Sequence, residues 1–205
     1  MEVNKIIYAS QVIEFVTVAN EYVATIERVA ETSAREALRK LQKILPLLYL
    51  KATLLPKTEL VLDDELETYV TELDYNVLHQ KWLQLLHEHD VFYEVFNPAI
   101  QFGDEKVTAG ISEHLIDIYQ DLRNFLVSYS IGNEGLMNDA LYECNLHFED
   151  FWGQQLVNVL RAIHMLVYSE IDFTEANNNT TIQPGKGNPK WLDKFWGTDE
   201  EDENV

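Results

Sequence analysis

Cysteine is almost missing from this chain. Cys144 is the only one, so no disulfide can form within a single copy, and no Cys-based metal site or redox pair can either. A lone thiol fits a reducing compartment. Glycine (8) and proline (5) are scarce, while Leu, Glu and Ala are plentiful, a balance that favours helix over sheet. Positive charge is also short: 15 Lys and Arg stand against 35 Asp and Glu, for a net charge of -20. Phosphate backbones bind through clustered Lys and Arg by releasing counterions, and the basic residues here are spread along the chain. Direct nucleic-acid binding is excluded on that ground, and anionic membranes are disfavoured for the same reason. Long apolar runs are missing too. The longest, ILPLLYL at 44–50, falls far short of the ~20 residues that cross a bilayer. The opening MEVNKIIYASQVIEF has neither the basic cluster nor the apolar stretch of a signal peptide. A cytoplasmic protein is expected.

What is present points to one helical domain. The 46% hydrophobic content is ordinary for a globular chain and enough for a sizeable core. From about residue 10 to 170, apolar residues recur at steps of three and four, the period of one helix face. The first such stripe is Val12, Phe15, Ala19, Tyr22 and Ile26. Ser33-Ala-Arg-Glu36 has the capping-box pattern and opens a second stripe of Leu38, Leu41, Leu45 and Leu48. Pro46 lies within it and is expected to kink or split that helix. LLPKTELVLDDE reads as a connection. Thr71-Glu-Leu-Asp74 is a further N-cap, with Val70 and Tyr75 as a hydrophobic staple, and the stripe Leu78, Trp82, Leu85, His89, Phe92, Phe96 follows. Residues 97–110 read as a loop. A fourth helix carries Ile111, Leu115, Ile118, Leu122, Phe125 and Tyr129, ended by Gly132-Asn-Glu-Gly135. Residues 137–170 form a last long stretch. No stretch alternates with the period of a strand.

The fold class is therefore all-α: a bundle of five to six helices over residues 1–171, mostly antiparallel, followed by a flexible acidic tail. In the tail, EANNNTTIQPGKGNP is a linker by composition. Asn188-Pro189 then opens a short helix, KWLDKFW, whose Trp191, Leu192, Phe195 and Trp196 share one apolar side. The chain ends on Asp199, Glu200, Glu201, Asp202 and Glu203, which leaves the body acidic as well. So short a helix is not stable alone. It docks either on its own bundle or on a partner, and Trp191, Leu192, Phe195 and Trp196 are the candidate partner-binding residues.

Three His-x-x-Asp pairs recur, HEHD at 87–90, HLID at 114–117 and HFED at 147–150. Extending the third helix through Phe96 puts His89 on its apolar stripe. His87, Asp90 and Glu94 then fall roughly 100–160° away, as do Glu143, His147 and Asp150 on the last helix. Only His114 and Asp121 lie at the margin of their own stripe, where a cleft can open. A metal between helices needs inward ligands, and the Glu-x-x-His spacing of di-iron bundles does not occur. Adjacent His89-Asp90 matches the dyad of helical metal-dependent phosphohydrolases, so His89, Asp90, His114 and Asp121 stand as the candidate metal set. Phosphate-loop, zinc-protease and serine-hydrolase motifs are missing. Cys144 reads as a buried thiol. Gln155 and Gly153 fall on the inner side of the last helix, the first to fix register or hydrogen-bond a neighbouring backbone and the second where a close helix contact needs it.

VIEFVTVANEYVATIE, LQKILPLLYLKATLLP, LIDIYQDL and MNDALYECNLHFEDFWGQQLVNVLRAIH together resemble an uncharacterised family of all-helical cytoplasmic proteins from Bacteroides-type bacteria. The resemblance covers roughly residues 8–168 and implies a helical fold and a bacterial origin. It carries no catalytic residues and no cofactor. The leading expectation is a non-enzymatic interaction or regulatory module that engages a protein partner through acidic faces and the aromatic tail. A metal-dependent phosphohydrolase and an acidic nucleic-acid mimic are the alternatives.

Overall fold

Two capping boxes set where helices begin. The Ser33 hydroxyl accepts the Glu36 N–H and the Glu36 carboxylate accepts the Ser33 N–H; Thr71 and Asp74 do the same at the start of the next long helix. Each box satisfies two backbone donors that a helix start leaves open. A computed structural model describes residues 3–62, 65–94, 107–169 and 173. In chain order the helices are α1 (Val3–Ile7), α2 (Ser10–Glu27), α3 (Ala34–Thr53), α4 (Glu72–Leu86), α5 (Ile111–Ser130), α6 (Glu134–His147) and α7 (Gly153–Tyr168). Two short strands, β1 (Val91–Tyr93) and β2 (Thr108–Gly110), precede α5.

Helices α2, α3, α7 and α5 each pack on the next and close a four-helix ring. Against α5, on the outside of the ring, lie α4 and α6, and α1 packs on α6. The expected five to six helices are thus present, with α6 and α7 forming one column. Aromatic side chains fill the middle: Phe15 sits 5.5 Å from Phe125 and 6.4 Å from Trp152, centroid to centroid. Buried polar tips find partners on neighbouring helices. The Tyr22 hydroxyl donates to the Leu115 carbonyl, and the Trp82 indole N–H donates to the Ile26 carbonyl at the end of α2.

Several expectations need correcting. Of the kink or split expected at Pro46, the split does not occur: α3 runs unbroken from Ala34 to Thr53, with Pro46 exposed. The last stretch is not one α-helix: Phe148–Trp152 makes a π turn between α6 and α7. A Cβ on Gly153 would lie 2.4 Å from the Phe148 carbonyl oxygen, so the close contact that calls for glycine is with the turn before it. The third helix stops at Leu86, ten residues short of Phe96. His87 takes φ 51° and ψ -130°, a region that side chains rarely adopt, and a 3-10 turn over His87–Asp90 follows. The chain then leaves as β1, which pairs antiparallel with β2, Phe92 opposite Ala109. Val-Phe-Tyr suits a strand as well as a helix, and Phe92 is buried either way. The tail residues Trp191, Leu192, Phe195 and Trp196 lie outside the described residues.

Candidate functional site

Helix α5 touches more of its neighbours than any other and carries a polar seam along one side. His114, Asp117, Asp121, Asn124 and Ser128 follow one another at steps of three and four, so they stack on a single face. Asp117 accepts the Tyr75 hydroxyl from α4 at 2.7 Å and the Gln155 amide from α7 at 2.8 Å. Gln155 therefore does fix two helices against each other. Asn124 accepts the backbone N–H groups of Tyr69 and Val70.

Those two amides belong to the connection between α3 and α4, which crosses α5 and α6 without regular structure. Backbone donors in such a segment need acceptors from elsewhere. Buried Asp139 on α6 provides two, taking the Val61 and Leu62 N–H groups at 2.8 Å each, and Asn138 donates to the Glu59 carbonyl. The strap so pinned roofs a cleft of ≈ 70 Å³ between α5 and α6.

Asp121, Glu143, Cys144 and His147 line that cleft. His147 Nδ1 lies 2.8 Å from Asp121 Oδ1, joining α6 to α5. Burial raises the Asp121 carboxyl, and the His147 hydrogen bond partly offsets this. Burial also raises Glu143. The Cys144 thiol is pushed well above its ordinary value by burial, which makes it an inert core group. The space suits a few waters and is far below the 300 Å³ or so of an organic-ligand pocket. The pairing of His147 with Asp121 joins residues 26 apart on different helices, and no local spacing announces it.

The candidate metal set does not assemble. Asp90 is 0% exposed, where the phase of a continuous helix turned it outward. Because α4 stops early, Asp90 swings under the start of α5. Its carboxylate accepts the Ser112 N–H at 2.7 Å and the Ser112 hydroxyl at 3.0 Å. Its neighbour His89 is only half-buried and packs edge-on against Phe173, 5.3 Å away. His114 is buried against Phe92, with Nε2 3.7 Å from Glu94 Oε1. Burial lowers its pKa. Asp121 stands two turns further along α5 and is taken by His147. Among the described residues, no group of three or more His, Cys, Asp or Glu is arranged to hold an ion. Of the remaining pair, Asp150 is exposed and His147 half-buried.

A second concavity is larger and open. A groove of ≈ 470 Å³ runs between α4, the strap and α5, with Tyr69, Val70, Leu73, Val77, Leu78 and Tyr119 along it. Leu73 is 72% exposed and Val77 45% exposed, one turn apart on α4. Glu27, Asp74 and Arg123 edge the groove. Glu27 accepts the Tyr119 hydroxyl at 3.0 Å and lies 3.8 Å from Arg123 Nε. Hydrogen bonds from Thr71 hold the Asp74 carboxyl below its ordinary value, so it is charged at neutral pH. Helical phase alone missed this groove because one wall is the irregular strap.

No helix among the described residues is long and apolar enough to cross a membrane. The family described as a domain of unknown function, DUF5063, matches residues 6–169. Among solved structures, the protein BF1032 from Bacteroides fragilis is 42% identical. The match covers 80% of this chain and 96% of that one, with a TM-score of 0.71. No curated protein matches.

Proposed function

The chain belongs to the DUF5063 family of domains of unknown function, and we propose that it is a cytoplasmic, non-enzymatic interaction module that binds a protein partner through the groove beside α4. One observation carries this reading: Leu73 and Val77 stand exposed, one turn apart, on an open groove of ≈ 470 Å³. Apolar side chains exposed side by side along a concavity favour docking of an apolar partner surface. The rim decides the partner's chemistry. Glu27 and Asp74 outnumber Arg123 there, Glu72 adds a charge in the first turn of α4, and the whole chain is strongly acidic. The occupant that fits is an amphipathic segment with an apolar anchor and basic flanks, steered by opposite charge.

The test compares three full-length proteins: wild type, the double variant Leu73→Glu with Val77→Glu, and Leu146→Glu at an exposed leucine on α6. Each is cross-linked in lysate of the native host and its captured proteins are identified. The expected result is one protein held by wild type and by Leu146→Glu, and reduced at least ten-fold by the groove variant. If every captured protein is indifferent to the groove variant, the reading is wrong.

A further inference from the structure

The basic residues are not evenly spread after all. Six of the fifteen fall between residues 35 and 57, where Glu36 is the only acid before the strap. Helix α3 is therefore a cationic element in an acidic protein. Lys40 pairs with Glu21, Lys51 with Glu14 and Lys57 with Glu149, and Arg35 lies over the Phe173 ring. Arg39 and Lys43 are exposed and have no ion-pair partner among the described residues.

At about 100° per residue, Arg39, Lys43, Leu47, Leu50 and Leu54 all fall within one arc of about 100°, opposite the buried stripe. The outward face of α3 thus has two halves. Its first half carries Arg39 and Lys43, with Glu36 on the same arc engaged in the capping box with Ser33. Its second half is apolar, with Leu47 43%, Leu50 51% and Leu54 50% exposed.

We propose that this face is the docking site for the chain's own C-terminal segment. The segment has the complementary two halves in the reverse order: Trp191, Leu192, Phe195 and Trp196 first, then Asp199 to Glu203. Laid antiparallel on α3, the aromatic residues meet Leu47, Leu50 and Leu54, and the acidic run meets Lys43 and Arg39.

The path also fits. Phe173 stacks under Arg35 at the start of α3, its ring centroid 5.9 Å from the guanidinium carbon. The chain therefore departs at the cationic end and must travel to the apolar end, about 28 Å along the helix at 1.5 Å per residue. Residues 174–190 form the connection. A flexible chain of that length has a root-mean-square span of about 21–25 Å, close to the distance required. A linker matched to its span gives a high effective concentration, which favours the chain's own tail over a second copy.

Disulfide trapping in the full-length protein tests the proposal, since buried Cys144 does not compete. Two double variants are made, Leu50→Cys with Phe195→Cys and Lys43→Cys with Glu201→Cys. A third, Leu73→Cys with Phe195→Cys, places the thiol on the groove instead. Both α3 pairs are expected to close within monomers at least ten-fold faster than the groove pair. Adding Arg39→Glu to the Lys43→Cys pair is expected to slow closure several-fold. Cross-linked dimers as the main product would show that a second copy supplies the segment and would overturn the proposal. So would α3 closure no faster than the groove pair.

Discussion

Asp90 is a carboxylate that its own fold would rather keep protonated, and this can be measured. Gly110 occupies the N-cap of α5 and has no side chain to accept the first free amides. Asp90 supplies that acceptor from 22 residues away, through the Ser112 N–H and hydroxyl. Gly110 leaves it room, since a Cβ there would come 2.9 Å from Asp90 Oδ2. Two effects then oppose each other. The start of a helix favours a negative charge by about 0.3–1 kcal/mol, up to about 2 when partly buried. Burial of a full charge costs more. Burial wins here, and the Asp90 carboxyl is raised to about 6, with Glu113 adding to the rise.

The sign follows from proton counts. Between roughly pH 4 and 6 the folded chain holds a proton on Asp90 that the unfolded chain has lost. Stability from this group is therefore complete below pH 4 and declines as pH rises through 6. Raising the Asp90 carboxyl from 3.8 to about 6 corresponds to about 3 kcal/mol. Asp90→Asn keeps an acceptor for the Ser112 N–H and carries no charge at any pH. Urea unfolding of both proteins from pH 4.0 to 7.5, followed by tryptophan fluorescence, should show the variant gaining about 3 kcal/mol on wild type toward neutral pH. Burial lowers the His114 pKa, which acts with the opposite sign, but His114 is present in both proteins and cancels. A difference that stays flat with pH would refute the reasoning. So would a variant that loses ground as pH rises, which would mean the charge at the α5 start outweighs burial.

Three further outcomes are expected. Asp139→Ala strands the Val61 and Leu62 amides and should cost about 3 kcal/mol, since bonds to a charged acceptor are worth about 1.5–3 kcal/mol each; amide exchange at 61 and 62 should speed up before global unfolding. Gly153→Ala should lower the melting temperature although alanine gains about 1 kcal/mol of helix propensity, because its Cβ would meet the Phe148 carbonyl at 2.4 Å. His87→Gly should stabilise by about 1 kcal/mol by removing the cost of φ 51° on a side-chain-bearing residue, read as a higher urea midpoint.

The helices were legible where local chemistry is strong. Ser33-Glu36 and Thr71-Asp74 announce their own starts, and the stripe from Ile111 to Phe125 is buried as its spacing requires. What was hidden depends on partners far away in sequence. Periodicity carried α4 through to Phe96 because Phe92 keeps its phase in a strand as well as in a helix. The stop at His87 is a backbone event with no composition signal. Once the rod ends, every angle assigned beyond it loses meaning, which is why Asp90 came out on the wrong side. The strap was readable as a connection, but the Asn124, Asn138 and Asp139 contacts that pin it could not be read.

These contacts change how the acidic side chains should be understood. Asp90 caps α5, Asp117 ties α4 to α7, Asp121 holds His147, and Asp139 grips the strap. Each pairs with a polar group that another segment of the fold presents. A chain with almost no sheet has few ways to satisfy an irregular crossing segment, and buried carboxylates and amides do that work here. The residue types that suggest metal chemistry are the same ones this architecture needs to hold its connection down. Function is therefore better sought at surfaces whose groups have no structural task, namely Leu73 and Val77 beside α4, and Arg39, Lys43 and the three leucines along α3.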